Sequence, residues 1–504
     1  MNPLAHALVA PLSGREDAVL IQADGGSLSG DALFRMSGRM ANALTSAGVQ
    51  PGDRVAMQTT KSVEALALYL ACLRAGALFL PLNTAYTSAE LDYFLSDAEP
   101  RVAVCDPGAE AALRPLAEAK GITLLTLDGT SGGSLVERAA VASDDFATVP
   151  REPDDLAAIL YTSGTTGRSK GAMLSHDNLL SNADALAETW RFTSDDVLLH
   201  ALPIFHAHGL FVAANVLLRV GGGMIFLPKF DLDTVIAELP NATSMMGVPT
   251  FYTRLLADPQ FDRDITAHMR LFVSGSAPLL AETHRLFEAR TGHRILERYG
   301  MTETTMSTSN PYEGERRAGT VGLPLPGIEV RITEAETGEV LPQGATGILE
   351  VRGPNVFKGY WRLPEKTAEE FRDDGFFITG DIARIDAEGY VAIVGRAKDL
   401  VISGGFNVYP KEVETEIDAL DGVLESAVIG VPHPDFGEGV VAVVVRDGGQ
   451  PIGAEAVQVE LRDRLADYKL PKAVLFIEEL PRNTMGKVQK NALRESYKDT
   501  FEGG

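Results

Sequence analysis

Short apolar runs alternate with longer amphipathic stretches through the first third of the chain. RVAMQ at 54–58, set off by Pro51-Gly52, reads as a strand; Ser62 to Arg74 reads as a helix followed by Gly76; ALFLPL at 77–82 reads as the next strand. The same rhythm returns at RVAVC (101–105), LLTL (124–127) and LAAILY (156–161). Strands separated by helical stretches predict layers of parallel α/β structure. From about Thr320 the texture changes. VRITEAETGEVLPQGATGILEVRGP at 330–354 holds two runs joined by a glycine-bearing turn region, which predicts antiparallel strands and a β-rich end to a large domain.

Beyond Gly395-Arg396 comes a third texture. YVAIVGRAKDLVISGG (390–405) reads as hairpin-like, a helix begins near Pro410, SAVIGV (426–431) and VVAVVV (440–445) read as strands, and a further helix and a short strand follow. The division predicted is an α/β domain over 1–397, with α/β layers and a β-rich subdomain, and a small mobile α+β lid over 398–504. A chain of 504 residues, 45% apolar, is long enough for two or three such domains. The longest apolar runs, Ala65 to Leu73 and Gly209 to Leu218, are closed by Arg74 and Arg219 before they could span a bilayer. Gly221-Gly222-Gly223 reads as a helix stop.

Forty-five basic residues against 69 acidic ones give a net charge of −24, which opposes nucleic acid and anionic membrane surfaces. Phosphate ligands would need local donors and a few placed cations. Cys72 and Cys105 lack the spacing of a disulfide scaffold or a zinc site, and the N-terminus lacks a basic start and apolar stretch, so a reducing, cytoplasmic setting is expected.

One loop meets the phosphate requirement. YTSGTTGRSKG at 161–171 follows the apolar run LAAIL and supplies three glycines, several hydroxyls and Lys170, a combination suited to wrapping phosphate oxygens. It is not the Walker form, because no GK[ST] occurs; on composition alone a Ser/Gly linker competes with it. His206 and His208 in LPIFHAHGLF share one face if that segment is a strand. With His200 they suggest a metal, but no further ligand with suitable spacing follows.

The loop resembles the signature of the adenylate-forming superfamily of acyl-CoA synthetases, non-ribosomal adenylation domains and luciferases. The resemblance continues in order through SGSAP (274–278), YGMTE (299–303), TGD (379–381), GRAKDLVISGG (395–405) and PRNTMGK (481–487). It implies the adenylate-forming fold, an AMP-forming acid–thiol ligase, and ATP, Mg²⁺ and coenzyme A as ligands. By the resemblance Thr162, Ser163, Gly164, Thr165, Thr166, Gly167 and Lys170 hold phosphates. Ser276, Ala277, Pro278, Tyr299, Gly300 and Met301 surround the adenine side, with Tyr299 along the base. Thr302 contacts the α-phosphate, Glu303 holds Mg²⁺, Asp381 accepts the ribose hydroxyls and Arg396 contacts the same nucleotide.

The resemblance further implies that Lys487 reaches the reacting carboxylate and α-phosphate, that Lys398 is the hinge, and that Ser403, Gly404 and Gly405 form a tunnel for the pantetheine arm. Acetylation of Lys487 would remove its charge, so a lysine acetyltransferase and deacetylase are implied partners.

RYGMTE, with Arg298 directly before Tyr299, resembles the malonyl-CoA synthetases within this superfamily. A long cation would spoil an apolar acyl pocket but suits a second carboxylate, which an arginine fork can hold with two parallel hydrogen bonds. Arg254, within the second turn of a helix that Pro249 can begin, is a second candidate, with His206 and Ser274 on the acyl pocket. The expected substrate is malonate, with methylmalonate as a neighbour. Another small acid, a carrier protein in place of coenzyme A, and a non-catalytic nucleotide sensor are the alternatives.

Overall fold

The computed structural model describes residues 1–22, 25–130, 132–162, 169–403, 406–449, 452–462, 464–483 and 486–501. Backbone contacts gather the chain into two compact units, Met1–Glu329 with Val351–Phe377, and Val330–Glu350 with Ile378–Gly504. The β-rich stretch expected to finish the large domain is thus shared out by contacts, most of it to the second unit.

The first unit is built on two sheets. In one, six strands run in the spatial order Thr123–Thr126, Val102–Cys105, Arg54–Gln58, Leu78–Pro81, Leu156–Thr162 and Lys170–Ser175. The first five are parallel and the last is antiparallel. Every apolar run expected to be a strand in this part of the chain lies in this sheet. The helix between the first two runs, Val63–Ala75, is capped by Ser62 Oγ, which accepts from Ala65 N–H, and ends at Gly76 with φ 68°. All of its residues are buried, which is why it carries so little polar patterning.

The second sheet has nine strands. Six are parallel and adjacent, in the order Leu296–Tyr299, Leu271–Ser274, Ser244–Gly247, Val197–His200, Gly223–Phe226 and Ala18–Ile21. Short antiparallel strands, among them Thr308–Ser309 and Ser27–Ser29, finish its two sides. One face packs a core that includes Phe272, Phe287, Tyr252 and Phe261.

The segment after Val197–His200 does not meet the condition for one shared face of His206 and His208. Residues 206–208 are not a strand: His208–Ala214 forms a π-helix that passes into the helix Asn215–Val220, closed by Gly221 with φ 73°. The turn before it is made tight by Gly209, where a Cβ would lie 2.0 Å from the carbonyl oxygen of Pro203.

The strands Glu329–Thr333, Thr346–Arg352, Phe377–Ile385 and Val391–Arg396, most of whose residues fall in the second unit, form a sheet in that order. YVAIVGRAKDLVISGG does not fold back on itself. Its first strand pairs antiparallel with Phe377–Ile385, and Val401–Ser403 pairs with Phe406–Val408 and Gly437 in another sheet. The break is the one-turn segment Ala397–Asp399.

That other sheet is dominated by the hairpin Val423–His433 and Gly437–Arg446, with Ala473–Ile477 parallel at its side. VVAVVV is apolar at every position because both faces are covered. Val440, Ala442 and Val444 join a core with Val413, Ile417, Val457 and Leu461, while Val441, Val443 and Val445 join one with Leu480 and Leu493. The helices that cover it are Pro410–Asp418, Ala454–Arg462 and Lys490–Tyr497. Among the described residues no helix is long and apolar enough to cross a membrane.

Candidate active site

Tyr299, Ser274, Gly247 and His200 end four adjacent parallel strands of the nine-stranded sheet, on one edge. The carboxyl edge of an open parallel sheet is where ligands bind, since the loops leaving it are held by the strands yet not consumed in packing.

Arg298, one position before the end of its strand, is 4% exposed, and its Nε and Nη2 have no hydrogen-bond partner. The guanidinium lies against the backbone of Gly275, where a Cβ would stand 2.2 Å from Cζ. Glycine in SGSAP therefore gives the arginine its seat. Burial lowers the Arg298 pKa to about 9, which keeps it charged at neutral pH. No carboxylate of the described residues pairs with it. Burying a cation without a counterion costs several kcal/mol, and a carboxylate is the ligand that offsets this.

Ser274 Oγ, His206 Nε2 and His208 Nε2 are also buried without partners, and His208 Nδ1 lies 3.2 Å from Ser276 Oγ. Burial, then the charge of Arg298, hold His208 well below the usual imidazole range. Burial takes His206 to about 4. Both rings are neutral at pH 7 and each can donate from one nitrogen. Ser276 holds φ at 69°, a left-handed conformation that costs about 1–3 kcal/mol for a residue with a side chain. Arg254 falls in the second turn of Pro249–Ala257, the helix that leaves the strand Ser244–Gly247 at the same edge, and is exposed.

Thr302 and Glu303 lie in a turn between the strands Leu296–Tyr299 and Thr308–Ser309, not at a helix start. Gly300 and Met301 fall in the same connection, Ala277 and Pro278 in the one between the strand Leu271–Ser274 and the helix Ala281–Thr291, and Tyr299 Oη contacts Met301 Sδ at 3.9 Å. Glu303 is buried, 3.0 Å from Tyr360 Oη, and that hydroxyl is also 2.7 Å from Glu370 Oε2. One phenolic proton can be given to only one carboxylate at a time. Burial and the Glu303 charge push the Tyr360 phenol far up, so it stays protonated.

Lys170 completes the chain. Its Nζ donates to Glu370 Oε1 at 2.9 Å and lies 3.9 Å from the centre of the Tyr360 ring. Against burial, the Tyr360 hydroxyl and Lys170 hold Glu370 below the usual carboxylate range. Thr162 pairs in register with Lys170 across a hairpin; Ser163, Gly164, Thr165, Thr166 and Gly167 lie outside the described residues. Among the described residues no cluster of three or more His, Cys, Asp or Glu could hold a metal by itself.

In the second unit Asp381 and Arg396 are register partners on adjacent strands, and Arg396 Nε lies 2.8 Å from Asp381 Oδ1. Asp381 is 2% exposed. Lys398 is exposed in the turn Ala397–Asp399, and Ser403 is buried at the end of its strand; Gly404 and Gly405 lie outside the described residues. Lys487, exposed as a residue, lies within electrostatic range of Arg396, Asp381, Lys398 and Asp399. Removal of its ammonium from water, then the like charge of Arg396, lowers its pKa to about 8.

Sequence reasoning missed Tyr360 and Glu370, which stand 57 residues from Glu303 and 200 from Lys170 respectively, with no local pattern to mark them. It weighed His208 only as a metal ligand. The signal available was Gly209, directly behind it in the π-helix, where a Cβ would meet the carbonyl oxygen of Pro203.

Two family models match the chain, the AMP-binding enzyme over residues 10–361 and the AMP-binding enzyme C-terminal domain over residues 412–487. Feruloyl-CoA synthase of Amycolatopsis sp is 37% identical over 98% of this chain and 98% of its own. Malonate–CoA ligase of Arabidopsis thaliana is 35% identical over 90% of this chain and 79% of its own. The crystal structure of ATP-bound MatB from Rhodopseudomonas palustris is 61% identical, covers 99% of this chain and 100% of its own, and superposes with a TM-score of 0.97. The adenylate-forming fold expected from the sequence is therefore present, and this chain belongs to the AMP-binding enzymes, as an AMP-forming acid–thiol ligase.

Proposed function

We propose that this enzyme ligates malonate to coenzyme A through a malonyl-adenylate, releasing AMP and pyrophosphate. The observation that carries the choice of acid is Arg298, a buried guanidinium with two unpartnered nitrogens, seated against Gly275 and close enough for its charge to act on His208. One carboxylate of malonate pairs with Arg298, and His208 and Ser274 donate to it. Arg254, at the same edge, adds a second cation. The other carboxylate attacks the α-phosphorus of ATP, and the bond to the β-phosphate breaks as pyrophosphate leaves. The similarity to feruloyl-CoA synthase raises an aromatic acid as a second reading, but such an acid would leave the arginine buried and unpaired.

Two anions meet in the first step, so their repulsion must be screened. Thr302, Lys170 and residues 162–167 are assigned to the phosphates, Tyr299 with Ser276, Ala277, Pro278, Gly300 and Met301 to the adenine, and Asp381 with Arg396 to the ribose. Glu303 suits Mg²⁺, being a hard oxygen ligand, and phosphates and water would complete the coordination. The bound ion would neutralise phosphate charge. Lys487 is assigned to the attacking carboxylate and the α-phosphate. In the second step the coenzyme A thiolate attacks the acyl carbon and AMP leaves, with Ser403, Gly404 and Gly405 passing the pantetheine arm.

Three checks follow. AMP release with a panel of mono- and dicarboxylic acids should rank malonate first, with methylmalonate reporting room for one methyl group; comparable kcat/KM for malonate, acetate and butyrate would overturn the assignment. Thioester formation with free coenzyme A separates this reading from loading of a carrier protein, and AMP release itself separates it from a nucleotide sensor. The kcat/KM for pyrophosphate exchange should fall as pH rises through about 8, where free Lys487 loses its charge, and Lys487→Arg should move that limb to higher pH.

Lys398 joins a strand of one sheet to a strand of another through a single turn, which supports its assignment as the hinge. Proline fixes φ, so Lys398→Pro should keep pyrophosphate exchange and lose thioester formation; equal loss of both steps would count against it. Control of Lys487 by a lysine acetyltransferase and deacetylase belongs to the same reading, because acetylation would remove the charge assigned to the first step. Two free, buried cysteines support a cytoplasmic setting.

A further inference from the structure

Lys61 has no place in this chemistry, yet it is 7% exposed and has no ionic partner among the described residues. It sits between the strand Arg54–Gln58 and the helix Val63–Ala75. Its Nζ lies 2.8 Å from His200 Nδ1, 2.6 Å from the His200 carbonyl oxygen and 4.2 Å from the centre of the Phe226 ring. His200 is 1% exposed, and its Nε2 lies 2.7 Å from the carbonyl oxygen of Gly209. A carbonyl only accepts, so Nε2 carries the ring proton and Nδ1 accepts from Lys61. The amine therefore sets both the tautomer and the position of the ring. The ring in turn holds the carbonyl directly after His208, where the π-helix begins; a π-helical turn is less well bonded than an α-helical one and needs outside support.

We propose that Lys61, acting through His200, is a positioning residue that fixes His208 at the acid pocket and so sets the preference for an acid with a second carboxylate. This rests on the reading that Arg298 and His208 hold that carboxylate. Lys61 touches neither substrate nor nucleotide in this scheme, so its loss should show in malonate binding and not in turnover.

The test uses the full-length enzyme and steady-state AMP release with malonate and with acetate. Lys61→Met should raise KM for malonate by about 10-fold, on the scale of one mispositioned hydrogen bond, with kcat, KM for ATP and the constants for acetate within about 2-fold. His200→Phe should do the same. His200→Gln, whose amide can accept from Lys61 and donate to Gly209, should restore the wild-type KM. If Lys61→Met does not fold, as judged by its melting temperature, the His200→Phe and His200→Gln pair decides alone. Equal losses for malonate and acetate, a raised KM for ATP, or no difference between the two His200 variants would overturn the proposal. Arg298→Met in the same assay separates the two levels. If it leaves the malonate-to-acetate ratio unchanged, both readings fall; if it collapses the ratio while Lys61→Met does not, only this one falls.

Discussion

Arg298→Met should lower kcat/KM for malonate by about 10³-fold, the scale of leaving one partner of a buried charge pair alone, while acetate and butyrate hold or gain. In the wild-type enzyme a monocarboxylate leaves the buried guanidinium and Ser274 Oγ without partners, and a site built around a missing polar group rejects the analogue by about 10⁴-fold. Methionine keeps much of the side-chain length and removes the five donors, so the penalty moves from the monoacid to the diacid. The measurement is AMP release across malonate, acetate and butyrate. The ratio carries the result, because a merely destabilised protein would lose activity toward all three together. If the malonate preference survives, Arg298 is a structural cation and the acid assignment goes with it.

Lys487→Ala should lower pyrophosphate exchange by about 10²-fold, as expected for removing one preorganised charge donor from a transition state. Thioester formation from supplied malonyl-adenylate should stay within about 3-fold of wild type, because the α-phosphate is already esterified and no pair of anions has to be brought together. The split between the half-reactions makes the test specific. Loss of both would point to a role in folding of the second unit, and loss of neither would remove Lys487 from the mechanism.

Periodicity alone was enough for the five parallel strands of the six-stranded sheet, each a short apolar run, with the helix between two of them marked by its own cap and stop at Ser62 and Gly76; the antiparallel sixth, Lys170–Ser175, was hidden behind the loop motif. It was enough for the helix at Pro410 and for VVAVVV, where an unbroken apolar run signals a strand covered on both faces. It failed where pairing is decided at a distance. VAIVGR and VIS look like the arms of a hairpin, yet the turn at Ala397–Asp399 sends them to different sheets, a choice made by the partners Phe377–Ile385 and Gly437. For HAHG the sequence left the period open, and the π-helix His208–Ala214 removes the shared face that a strand would have given His206 and His208. The candidate site was assembled from ordered motifs. What no motif could supply was the company each residue keeps, such as the Asp381–Arg396 pair, which follows from antiparallel register, or the shared proton of Tyr360.

The groups assigned to the acid stand at strand ends and on the connections leaving one edge of the nine-stranded sheet, and none of them belongs to its aromatic core. Phe272, Tyr252 and Phe287 pack on one another in the core of one face of that sheet, and none of them is assigned to the acid. A redesign for a different acid can therefore be confined to positions 206–208, 274–276 and 298, and its variants should melt near the parent temperature even as their substrates diverge.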